Sequence, residues 1–328
     1  MFCGNHFRRT ATVAIGAALG LAISTANLHL AHGQHQTDHP QGQIVYGKGY
    51  ALWRTPARGG ESVKIAELGF AAKRLTKIVA NTIRGNGSIF LVSTENNHYW
   101  VATQPDQIRV IRHVCRGHAV LSADGRCVLC QDRNGTITLE RLLPTAKKVT
   151  SKIRGDLASL LGDHTRELVV VTKNGVEAVN IAKPTQRRLV AGVAPVTDLL
   201  VAPNGKHAVA VFGESQDRGT GLYVFTLSGD HVRRKLVSNA IPVVWSSDSR
   251  WLVVTRKQRG CVVRASGGQY RCFAGFRAIG LAPDFKEVLL TKGKPAALTL
   301  FRADLGGAHS RKPIRLHSGV QGAAIWLP

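Results

Sequence analysis

A turn that returns at the same point of a strand pattern restricts the fold of this chain more than any other feature. It occurs as LVAPNGKHAVAV at 200–211, VWSSDSRWLVV at 244–254 and LAPDFKEVLL at 281–290. Looser copies are LSADGRCVLC at 121–130 and IRGNGSIFLV at 83–92. Each copy is an apolar run, a small residue or Pro, an Asp or Asn, and a second apolar run. A short carboxylate or amide bonds nearby backbone N–H groups, and a following Gly accepts positive φ, so the unit is two strands joined by a tight turn. Two strands cannot bury their own faces, and a series of them must stack.

The anchors Asn86, Asp124, Asp163, Asn204, Asp248 and Asp284 step along the chain by 38, 39, 41, 44 and 36 residues. A third and a fourth strand follow each anchor, as in Gly221 to Leu227 and then Val232 to Val237. Four short strands in about forty residues is the size of one propeller blade. The C-terminal GVQGAAIWLP resembles the blade-opening IPVVWSS at 241–247, with Trp326 matching Trp245, and stops where the turn would come. Segments beginning at Gln43, Tyr50 and Ser62 supply the three missing strands. The expectation is an all-β, seven-bladed propeller of four-stranded antiparallel blades over 42–328, with a composite blade made from both ends of the chain, because a ring must hide its edge strands. In KHAVAVF both alternating sets are apolar, which predicts a strand buried on both faces. Helices between strands, as a parallel α/β sheet requires, are not evident; Ile153 to Leu161 aligns better as a strand.

Ahead of the repeats, Arg8 and Arg9 precede the uncharged run Thr10 to Ile23, and Ser24-Thr25-Ala26 supplies the small residues of a cleavage site. Residues 1–26 read as a signal peptide, with a second cleavage option at Ala31-His32-Gly33 and an uncleaved anchor as the alternative. The apolar run is short for a membrane span. The expected location is periplasmic or secreted, with no transmembrane span in the mature chain. The His-rich stretch 27–41 reads as a flexible linker.

Cys261 and Cys272 flank CVVRASGGQYRC, whose midpoint Ser266-Gly267 suits a hairpin turn. That symmetry places the sulfurs opposite each other, and a disulfide fits an exported protein; two buried free thiols are the alternative. Cys127 and Cys130 form a CxxC inside the strand RCVLCQ, without the helix start that lowers a redox thiol's pKa. The expectation there is one cysteine paired with Cys115 and the other free.

The chain carries 44 Lys and Arg against 20 Asp and Glu, a net charge of +24, of which about +22 remains after cleavage at Ala26. Such a field favours anionic partners: an acidic envelope or secreted protein, an anionic polysaccharide, or lipid head groups. Export argues against nucleic acid, as does the lack of interleaved aromatic and basic residues. The charge is spread through 152–154, 183–188, 231–235, 256–259 and 311–315 rather than gathered in one tail, and the alternative to an anionic partner is simply a set of solvated outer strands and turns.

The anchors resemble the TolB-type and related periplasmic β-propeller repeats, whose core is Trp or Phe, Ser-Pro-Asp-Gly and a Lys or Arg before an apolar strand. The matching residues are Val201 to Lys206 and Trp245 to Arg250, with Ala51 to Gly60 and Gly221 to Val224 similar to the strands around the turn. The resemblance covers roughly 43–328 and implies the propeller part alone, since the chain has no room for the separate α/β domain of the Tol-system protein. It also lacks the Gly-x-Ser-x-Gly elbow of relatives with a hydrolase domain. Ser249, Phe285 and His164 replace the turn Gly, which predicts altered turns there.

The function expected is an exported, noncatalytic protein-interaction scaffold of the envelope, binding another protein or an anionic envelope component, with no cofactor and no metal. Its candidate interaction loop is Glu95 to Trp100, with His98, Tyr99 and Trp100 as anchors; alternatively, Tyr99 and Trp100 begin a strand. Other readings are a metal-dependent hydrolase or lyase using His98, His118, His164 and His207, and a polysaccharide-binding or structural envelope protein. The four histidines occupy different positions relative to their anchors, which argues against a shared metal.

Overall fold

The computed structural model describes residues 42–327 except 50, 68–76, 84–86, 94–97, 105–106, 116–117, 123–126, 142–146, 161–166, 193–194, 214–219, 229–232, 269, 295–296, 306–311 and 321–323. The segments 1–26 and 27–41, read above as signal peptide and linker, the anchors Asn86, Asp124 and Asp163, the residue His164 and the loop part 95–97 lie outside the described residues. All regular secondary structure described is strand: twenty-eight strands in seven four-stranded antiparallel sheets.

Sheet 1 joins both ends of the chain: Ala324–Leu327 pairs with Gln43–Lys48, which is followed by Ala51–Pro56 and Val63–Glu67. Sheets 2 to 7 then run in chain order over 77–115, 118–154, 157–191, 196–238, 240–273 and 277–320. First strands touch first strands: Leu157–Leu160 meets His118–Leu121 and Val196–Val201, Ala240–Trp245 meets Val196–Val201 and Arg277–Leu281, and Ala324–Leu327 meets Arg277–Leu281 and Lys77–Ile83. Sheets 2 and 3 touch through Gln107–Cys115 and Cys127–Gln131. The sheets therefore form a closed ring, with the first strand of each nearest the axis and the fourth at the rim.

The core is divided into slabs between sheets. Ala208, Ala210 and Phe212 pack with Val169, Val171 and Val190 of sheet 4. The alternate residues Val209 and Val211 pack with Leu252, Val254 and Cys261 of sheet 6. Residues 208–212 are at most 3% exposed, so the two-sided burial expected of KHAVAVF holds. At the seam, Trp326, Ile44 and Tyr46 pack with Leu289, Leu298, Leu300 and Val320 of sheet 7.

The two described turns that lack Gly, at Ser249 and Phe285, are not altered. Ser249 and Phe285 adopt φ of 61° and 58°, beside 64° at Gly205. In all three the preceding Asn or Asp oxygen accepts a backbone N–H two residues on: Asn204 from Lys206 at 2.9 Å, Asp248 from Arg250 at 3.0 Å and Asp284 from Lys286 at 3.0 Å. The side-chain acceptor and the closing backbone bonds impose the left-handed conformation, and Ser and Phe bear its steric cost. These acids are turn builders.

Cys261 and Cys272 face each other across the hairpin and are joined by a disulfide. Cys127 and Cys130 are both disulfide-bonded as well, which corrects the expectation that one stays free. On the strand Cys127–Gln131 they point to opposite faces, so each can meet a separate partner. Replacing Cys261 and Cys272 by Ala should lower stability by about 2–3 kcal/mol, from the loop entropy regained by the unfolded chain. Urea melts of the variant and of the oxidised parent give the value.

Candidate interaction surface

Charge is sorted by strand position. The seven rim strands are Val63–Glu67, Gln107–Cys115, Lys147–Arg154, Arg187–Ala191, Arg233–Ser238, Tyr270–Phe273 and Ile314–Val320. They carry Lys64; Arg109 and Arg112; Lys147, Lys148, Lys152 and Arg154; Arg187 and Arg188; Arg233, Arg234 and Lys235; Arg271; and Arg315. That makes fourteen cations against the single acid Glu67. The seven axial strands hold only Lys77, Asp198 and Arg277 as charged residues. More than half of the net charge of +24 thus sits on the rim strands.

Edge strands need charge to prevent sheet-to-sheet pairing. Lys is the usual residue for that purpose, whereas nine of the fourteen rim cations are Arg, so edge protection does not account for the whole set. Several rim cations are also held in place by the sheets behind them. Arg233 lies over the rings of Phe212 and Tyr223 at 4.8 and 5.3 Å, and Arg271 over Phe273 at 5.3 Å. Arg188 donates to the Leu227 carbonyl of the next sheet at 2.7 Å, and Arg234 donates to the carbonyls of Ala265 and Ser266. Arg187 pairs with Glu177 at 3.0 Å. Stems and guanidinium planes rest on protein while charge stays at the surface; Arg187, Arg188, Arg233, Arg234 and Lys235 are all exposed.

The candidate anchors His98, Tyr99 and Trp100 lie within the strand His98–Gln104, paired on one side with Ser93, Val92 and Leu91 and on the other with Cys115, His113 and Arg112. The start of that strand, not a loop, is their position. His118 begins the first strand of sheet 3 and His207 the second strand of sheet 5. Among the described residues no group of three or more His, Cys, Asp or Glu is placed to hold a metal ion. Asp198, on an axial strand, has its carboxyl pushed up by burial, partly offset by a hydrogen bond from Thr197.

A polar cluster that sequence patterns did not mark spans the seam between sheets 7 and 1. His317 Nε2 lies 3.1 Å from Thr55 Oγ1 and 3.2 Å from Ser62 Oγ. The Tyr46 hydroxyl donates to Ser62 Oγ at 2.8 Å, and its ring stacks on the imidazole at 5.3 Å. No carboxylate among the described residues orients the imidazole as in a catalytic triad. Burial, assisted by nearby Lys48, holds the His317 pKa below its ordinary 6.5. A lowered pKa means that the unfolded chain takes up the proton first. The stabilisation is complete above about 6.5 and is lost as pH falls from there through the folded-state value. Thermal melts across that range should show an acid-side loss of stability that His317→Gln flattens; an unchanged profile would remove His317 from the seam's pH response.

No family model and no curated protein matches the chain. Solved structures do. The β-propeller domain of Cps50 (Swd1) from Myceliophteria thermophila aligns with a TM-score of 0.54 at 14% identity, over 77% of this chain and 90% of that one. A Lactobacillus plantarum protein aligns at 0.53 and 13% identity, over 88% of this chain and 100% of that one. TolB from Acinetobacter baumannii aligns at 0.51 and 12% identity, over 87% of this chain and 66% of that one. Identities this low speak for fold alone, and together with the ring of four-stranded sheets they show that the chain has the TolB-like β-propeller fold.

Proposed function

We propose that this protein is an exported, noncatalytic propeller scaffold that holds an extended anionic partner of the envelope, an acidic polysaccharide chain, against its rim. The observation that carries the reading is the sign bias of the rim strands, fourteen cations to one acid. Nine of the fourteen lie on sheets 3 to 5, an arc of the rim that an extended, flexible polymer can follow. Export is supported by the leader-like N-terminus and by the Cys261–Cys272 disulfide. The noncatalytic reading is supported by axial strands that offer little beyond Asp198 in the way of acids.

The test is binding of a labelled polyuronate across a salt series, with a neutral glucan and anionic vesicles alongside. Affinity for the polyuronate should fall steeply as the Debye length shortens from roughly 30 Å to 8 Å. Equal binding of the neutral glucan, or indifference to salt, would defeat the proposal; preference for vesicles would replace the polymer by a membrane surface.

A further inference from the structure

A polar cleft of about 510 Å³ opens between sheets 3 and 4, lined by the turn Gln131 to Gly135, by Arg154, Gly155 and Asp156, and by Thr172 and Lys173. Its volume lies within the roughly 300–1,000 Å³ of ordinary small-molecule sites. Its floor is backbone. Gly135 has φ of 75°, and a Cβ on it would come within 2.7 Å of the Gly155 carbonyl oxygen; a Cβ on Gly155 would meet the Val171 carbonyl oxygen at 2.6 Å. Two glycines therefore let the hairpin of one sheet close on the linker to the next.

Gln131 is 3% exposed. Its Nε2 donates to the Gly155 carbonyl, which fixes the orientation of the amide and leaves Oε1 as a buried acceptor with no partner. A buried orphan acceptor calls for a donor. The same cleft is lined by Arg133, Arg154 and Lys173, none in an ion pair among the described residues, although Asp132 and Asp156 line it too. Asp132 Oδ1 is occupied by the backbone N–H groups of Asn134 and Thr136, each at 2.9 Å. The cleft offers cations for an anionic group, and the Gln131 Oε1 acceptor with the Asp156 carboxylate for hydroxyl donors.

We infer that this cleft is a binding site for a sugar-sized hydroxylated anion, its carboxylate or phosphate held by Arg133 and Lys173 and a hydroxyl donating to Gln131 Oε1. Arg154 ends a rim strand, but the two cations assigned here, Arg133 and Lys173, belong to none, so the inference is tested separately from the rim reading.

Calorimetric and ligand-observed NMR titrations of the folded protein at physiological salt would use glucuronate, glucose 6-phosphate, glucose and inorganic phosphate. Saturable binding of glucuronate or glucose 6-phosphate is expected, at least tenfold tighter than glucose or inorganic phosphate, and the better of the two identifies the anionic group. Arg133→Gln with Lys173→Gln, at exposed positions, should weaken that binding at least tenfold without moving the melting temperature. Gln131→Met should weaken it too; should that variant fail to fold, the double variant still decides. Variants with rim lysines changed to Gln should bind the monosaccharide as the parent does. Absence of saturable binding, equal binding by inorganic phosphate (an adventitious ion only), or loss confined to the rim variants would overturn the assignment.

Discussion

Removal of residues 321–328 should abolish cooperative unfolding and leave little soluble protein. The strand Ala324–Leu327 contributes the register pairs of Leu327, Trp326, Ile325 and Ala324 with Gln43, Ile44, Val45 and Tyr46. Without it Gln43–Lys48 becomes an open edge facing the axis, and contacts from sheet 1 to the first strands of sheets 2 and 7 are lost. Trp326, 5% exposed, also leaves the slab that contains Ile44 and Leu298. Trp326→Ala is the milder form of the experiment. It removes a large buried side chain at a cost of about 3–5 kcal/mol, which for a domain of this size corresponds to a fall in Tm on the order of 10 °C. Differential scanning calorimetry of both variants decides. A truncated chain that melts like the parent would show that the ring closes elsewhere.

The second large effect concerns the rim. Changing Lys147, Lys148, Lys152 and Lys235 to Gln removes four of the fourteen rim cations from two sheets. With each surface contact contributing a few tenths to one kcal/mol, polyuronate affinity should fall by about 2 kcal/mol, roughly thirtyfold. The salt dependence should become shallower at the same time. A control quartet, Lys206, Lys257, Lys286 and Lys294 to Gln, makes the same change in net charge at the ends of the sheets. If affinity follows net charge alone, the quartets will match; if it follows the rim, only the first will weaken binding.

Much of the fold was legible because its signals are local. The Asn204, Asp248 and Asp284 turns, the two-sided apolar strand at 207–213 and the hairpin between Cys261 and Cys272 each declare themselves within a dozen residues. The closing strand was legible because the apolar run to Trp326 copies the blade-opening run to Trp245. What stayed hidden depends on position in the ring. Clusters such as 231–235 are visible as charge, but their place on fourth strands follows only from knowing which strand is fourth. Ser62 and His317 lie 255 residues apart and meet solely because the ring closes. Gln131 reads in the sequence only as the end of the strand RCVLCQ, and its orphan oxygen is a property of the Gly155 backbone beside it. Ser249 and Phe285 misled because residue type was weighed above the hydrogen bonds that force the turn.

The rim itself is tested most directly by lysine acylation followed by peptide mass analysis, with and without bound polyuronate. Protection should appear at Lys64, Lys147, Lys148, Lys152 and Lys235, on three different sheets, while Lys206 and Lys257 keep reacting. Protection confined to lysines in the turns at one end of the ring, with the rim lysines unchanged, would contradict the account.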